Sequence, residues 1–109
     1  MSLRDDYRPT IMVLIGKLMS KAIEITAVEQ IDVSVGYAGY VDCVRITVCR
    51  NYSDAGLKQL NQKLLNEHCY LEPLDPDNPV RARADWEHTI ATLNRWHDYL
   101  TELQQQLAA

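Results

Sequence analysis

Three cysteines and three histidines are the residues of this chain with the most specific chemistry on offer. Cys43 and Cys49 stand six apart, and His68 precedes Cys69. Structural zinc sites pair their thiolates at C-x2-4-C spacing, because two ligands of one ion must come close together. Six residues of extended strand span roughly 20 Å, so Cys43 and Cys49 do not share an ion. A Cys–His nucleophile needs partners adjacent in the fold, not in the chain, and His68-Cys69 offers only the latter. His88 and His97 are nine residues apart on a helical stretch and point in nearly opposite directions. Asp75, Asp77 and Asn78 carry oxygen ligands, but Pro76 interrupts them, and the central Gly and terminal Glu of a calcium loop are missing. Gly16, Gly36, Gly39 and Gly56 are isolated, so no phosphate-cradling loop is read. No catalytic residue, metal ligand or cofactor site is assigned.

A second group of residues suits recognition rather than catalysis. Arg81 and Arg83 fall in the first turns of a helix that starts at Pro79, where the helix dipole disfavours cations. They are either held for an anionic partner or paired at i,i+4 with Asp85 and Glu87. Arg45 and Arg50 extend the same basic patch if their hairpin lies close. Tyr37 and Tyr40 flank a turn and offer an aromatic pair. Trp86 and Trp96 stand on the apolar stripe of the last helix. These eight residues are the interaction candidates.

The elements that must position them are two kinds. Ile31–Tyr37 alternates apolar with small or polar residues, Ala38-Gly39 is a turn candidate, and Tyr40–Cys49 resumes the alternation. That is a β-hairpin pattern. A two-residue turn would pair Tyr37 with Tyr40, Val33 with Val44 and Ile31 with Ile46. Ile31, Val33, Val35, Val44, Ile46 and Val48 then share one face, and no third strand is expected. Helical spacing covers the rest. The first helix runs from about Pro9 to Ala27 on Ile11, Leu14, Ile15, Leu18, Ala22 and Ile25, and Met12, Met19 and Ile23 widen its apolar arc beyond one face. A helix with an arc so wide is either central to the fold or has a second buried contact. Leu57, Leu60, Leu64 and Leu65 predict a second helix from about Ser53 to Cys69. Asn78-Pro79 opens the third, which reaches about Gln106. Its Trp86, Leu93, Leu100 and Leu107, with Trp96 and Leu103, form a heptad stripe for core packing or a short coiled-coil seam.

Length and charge bound the class. One hundred and nine residues make a single domain, residues 1–109. The apolar fraction of 47% is that of a globular protein. A net charge of −4 weighs against a general nucleic-acid binder. No stretch approaches a membrane span. The polar N-terminus, with no secretory pattern, and an odd number of thiols point to the cytoplasm with cysteines reduced.

The hairpin Val33-Ser34-Val35-Gly36-Tyr37-Ala38-Gly39-Tyr40-Val41-Asp42 resembles hairpins in small uncharacterised accessory proteins of bacteria and their prophages. It spans ten of 109 residues. The resemblance implies an accessory protein and transfers no functional residue.

The expected fold is α+β in the order α-β-β-α-α, with helices packed on one face of a hairpin and the sheet open to extension by dimerisation. A lone hairpin is marginal in water, and its free edges invite a partner. The leading functional expectation is a non-enzymatic interaction protein acting as a homodimer, with a further protein partner open to it. The alternatives are a nucleic-acid accessory protein that uses the Arg patch and, third, a small-molecule enzyme.

Overall fold

The computed structural model describes residues 3–26, 31–54 and 58–108, and their side chains apart from those of 51–63 and 107–108. Its elements are α1 (Leu3–Thr26), β1 (Ile31–Ala38), β2 (Cys43–Asp54), β3 (Lys58–Tyr70) and α2 (Pro79–Ala108). The three strands form one antiparallel sheet in the order β1-β2-β3. The class is α+β, and the expected order is corrected to α-β-β-β-α. The segment read as a helix from Ser53 to Cys69 is the end of β2 followed by β3; Leu57 lies outside the described residues.

The correction has a physical reason. A hairpin of β1 and β2 alone would leave the long β2 unpaired along one side. β3 supplies that pairing from Cys43↔Tyr70 to Asp54↔Lys58. Its period-two pattern is present but disguised. Leu65, Glu67, Cys69 and Leu71 alternate with the exposed Asn66, His68 and Tyr70. Two features hide it: one inward position is a carboxylate, and a β-bulge between Val48 and Cys49 leaves Leu64 without a partner and shifts the parity. Beyond Ile31↔Arg50 the β2–β3 pair continues as a two-stranded ribbon. The molecule is accordingly long, 57 × 26 × 18 Å, with a radius of gyration of 16.5 Å against about 13 Å for a compact chain of this size.

The β1–β2 hairpin keeps its predicted faces and changes its pairings. The register is Ala38↔Cys43, Tyr37↔Val44, Val35↔Ile46 and Val33↔Val48, with Gly39–Asp42 as the loop. The shift is an even number of residues, so no side chain changes face. Asp42 closes the loop at φ 52°, a left-handed conformation that Asp tolerates better than most residues. Its N–H donates to the Gly39 carbonyl at 3.4 Å.

Helix α1 starts earlier than Pro9 suggested, and Pro9 lies inside it. Tertiary contacts hold the extra turns. The Tyr7 ring stacks on Trp86, centroids 6.2 Å apart and planes within 4°, and its hydroxyl donates to Glu87 at 3.1 Å. Helix α2 begins as expected. Asn78 Oδ1 accepts the Arg81 N–H at 3.2 Å, the N-cap contact that satisfies an orphan donor. The helices run parallel, since Tyr7 meets Trp86 near both starts and Lys21 donates to Gln104 at 2.8 Å near both ends.

The core lies between these helices and one face of the sheet. Ile11, Leu18, Ala22 and Ile25 of α1 meet Val44, Ile46 and Val48 of β2 and Trp86, Leu93, Trp96 and Leu100 of α2 in a single cluster. The α2 heptad stripe is therefore buried in its own chain and not offered as a coiled-coil seam; the Leu107 side chain lies outside the described residues. Trp96 is 1% exposed, and its indole Nε1–H donates to Glu67 at 3.1 Å. Truncating Trp96 to Ala is expected to cost about 3–5 kcal/mol in urea denaturation, because a large cavity replaces the ring. The loss should be the same at every protein concentration, and the exposed Gln105→Ala should stay within about 0.5 kcal/mol of wild type.

Candidate functional site

Adjacent residues of a strand point to opposite faces, and β3 separates His68 from Cys69 in this way. Cys69 is buried and its thiol donates to the Tyr70 carbonyl at 3.4 Å. Burial pushes that thiol up from its ordinary pKa, despite a hydrogen bond with Thr89, which is the reverse of nucleophile activation. His68 stands on the outer face with its ring edge-on to Tyr70 at 5.7 Å. Cys43, Cys49 and Cys69 are free thiols, and among the described residues no three His, Cys, Asp or Glu side chains are grouped for a metal ion.

A cleft of about 540 Å³ lies between β3 and α2. Its charged groups are largely engaged in holding the fold. Arg95 donates to both Glu67 oxygens, at 2.6 and 3.3 Å. Together with the Trp96 indole it keeps the Glu67 carboxyl below its usual range. Thr89 Oγ1 donates to a main-chain carbonyl, with Tyr70 O at 3.2 Å and Asp85 O at 3.1 Å. Glu72, at the cleft mouth, meets Arg4 at 2.6 Å. The cleft joins strand to helix, and His68, Asp85 and His88 also line it.

A second polar cluster pins the start of α1 to the hairpin. Arg8 donates to both Asp42 oxygens at 2.8 and 2.9 Å, and the Tyr37 hydroxyl donates to Asp42 at 2.6 Å. The Asp42 main-chain carbonyl accepts the Leu71 N–H at 2.9 Å. Three parts of the chain thus meet at one loop residue. The Arg8 guanidinium holds the Asp42 carboxyl below its ordinary value, with Tyr37 adding to it. The same carboxylate raises Tyr37 and Arg8.

The eight interaction candidates do not form one surface. Trp86 and Trp96 are inside the core. Arg45 and Arg50 are exposed but stand on opposite faces of β2 by parity. Arg50 sits opposite Ile31, near the end of α1, whereas Arg81 and Arg83 open α2 beside the start of α1. The four arginines therefore make no common basic patch. Glu87 takes the Tyr7 hydroxyl, and Arg81 contributes its main-chain N–H to the Asn78 cap. Tyr37 is half exposed and anchored to Asp42. Tyr40, at the loop tip, is 94% exposed.

The surface that stands out lies elsewhere. On α1, Met12 is 64%, Met19 44% and Ile23 71% exposed. With Gly16 they form a straight stripe at spacings of four, three and four. Next to its C-terminal half, an apolar groove of about 380 Å³ runs between α1 and β1, lined by Met19, Ala22, Ile23, Thr26, Val33, Ser34 and Val35. The signal was present in the sequence as the surplus apolar arc of the first helix. Among the described residues, no helix is long and apolar enough to cross a membrane. Comparison with known proteins gives no match to a family model, a curated protein or a solved structure.

The Asp42 cluster sets a pH dependence with a definite sign. A carboxylate whose pKa is depressed in the folded state adds stability above its unfolded value, and that stability is lost as pH falls through the folded value. Arg8→Met removes the largest cause of the depression. Thermal unfolding should show the variant less stable than wild type at pH 7, with the gap closing between about pH 5 and pH 2.

Proposed function

We propose that this protein is a non-enzymatic interaction protein that acts as a homo-oligomer, with the dimer as its working form. One observation carries the reading: α1 has two apolar faces, and the described residues cover only one. Ile11, Leu18, Ala22 and Ile25 face the core, while Met12, Met19 and Ile23 face outward. Contiguous apolar patches larger than a few hundred Å² are uncommon on monomers and mark association sites. The accessory role implied by the hairpin resemblance is compatible with this, and the three free thiols suit a reducing cytoplasm.

Glu67, Glu72 and Asp42 are paired with Arg95, Arg4 and Arg8, and burial pushes the Cys69 thiol up. Multi-angle light scattering at tens of micromolar is expected to return a particle of two chains. A one-chain mass at that concentration would contradict the proposal.

A further inference from the structure

We infer that the second copy lies antiparallel along α1 and inserts its Met12 side chain into the groove beside Ile23. This rests on the homodimer reading above and adds to it the surface, the orientation and the contact that specifies them.

The geometry is that of a knob and a hole on one stripe. Met12 stands out near one end, and the α1–β1 groove opens beside Ile23 near the other. Eleven residues of helix separate them, about 16 Å. A two-fold interface presents the same patch from both subunits, so each knob must meet the other's hole. An antiparallel pair centred between Lys17 and Leu18 does this. It sets Met12 against the partner's Ile23 and Gly16 against the partner's Met19. A Cβ at Gly16 would meet nothing within 4 Å, so that position is open to a partner's side chain. Methionine, unbranched and flexible, suits an irregular groove. A parallel pair would set Gly16 on Gly16 and leave both grooves empty.

Two competing surfaces are wholly or partly taken up within the chain. At the β1 edge the Thr26 hydroxyl accepts the Val33 N–H at 3.1 Å and lies 3.4 Å from the Val33 carbonyl. A partner strand would have to displace it, and capping of this kind is how edges resist pairing. The α2 stripe is already core. Area is also adequate. An antiparallel pair so centred overlaps residues 9–26 of α1, about 27 Å of helix, and a helix layer on a sheet layer is roughly 20 Å deep. The shared side is therefore on the order of 500 Å² per partner, about the 1,000 Å² in total that a specific interface should clear. Between Met12 and Ile23 the stripe carries no ionised side chain; Lys17 and Glu24 stand on the flank away from β1.

Met12→Glu and Ile23→Lys test surface and orientation together. Both positions are exposed, so circular dichroism should show wild-type folding. Each variant alone should dimerise roughly a hundredfold or more weakly, since each dimer would bury two unpaired charges. An equimolar mixture should recover a two-chain particle with one chain of each kind by native mass spectrometry, because the carboxylate introduced at position 12 of one chain then faces the ammonium introduced at position 23 of the other. Variants that remain dimeric alone would overturn the α1 surface and leave the homodimer reading standing. A mixture that stays monomeric would overturn the antiparallel seating. A monomeric wild type would overturn the homodimer reading and this inference with it. If either charged variant loses helix content, Met12→Ser and Ile23→Ser replace the pair. Each should weaken dimerisation by roughly tenfold through lost apolar burial, and unchanged affinity would overturn the inference.

Discussion

A sheet that is apolar on one face must hide that face, and here two parallel helices lie across it. The other features follow from this constraint. Helix α1 covers β1 and turns Ile11, Leu18, Ala22 and Ile25 inward. Helix α2 lies beside it and lowers Trp96 towards β3. The Glu67 carboxylate of β3, on the helix-facing side but partly exposed, takes hydrogen bonds from Arg95 and the Trp96 indole. At the opposite end, the bidentate Arg8–Asp42 pair fixes where α1 begins relative to the hairpin.

The same constraint explains the outward face of α1. A helix has one side to give to a sheet. Once the core residues are directed inward, Met12, Met19 and Ile23 are turned about a third of a revolution away and cannot reach it. Their exposure is thus a consequence of how the core is built. An apolar stripe that the fold cannot use internally is available for use between molecules.

What the sequence revealed divides along physical lines. The faces of β1 and β2 were legible because parity survives an even change of register. The register itself was not, since the four-residue loop depends on Asp42 in a left-handed conformation and on Arg8, thirty-four residues away. The start of α2 was legible from Asn78-Pro79 because capping is local. The start of α1 was obscured by Pro9, whose preference for a first turn is outweighed by the Tyr7–Trp86 stack and the Arg8 pair. Strand β3 was hidden by its bulge at Leu64 and its inward Glu67, which left leucines at spacings that also suit a helix. Of the site, the wide arc of α1 was visible in Met12, Met19 and Ile23. The separation of the four arginines was not, because it depends on strand parity and on which ends of the elements lie together.

The central claim is that the outward stripe of α1 is covered by a second copy. The chain has three methionines, and two of them, Met12 and Met19, stand on that stripe, so sulfur oxidation reports on it directly. Peroxide oxidation followed by peptide mass spectrometry, across a dilution series, reads each site separately. Both sites should be protected relative to free methionine at tens of micromolar, and the protection should fade together as the protein is diluted. Oxidation of Met12 and Met19 at the same rate at every concentration, with no protection at the highest, would contradict the claim.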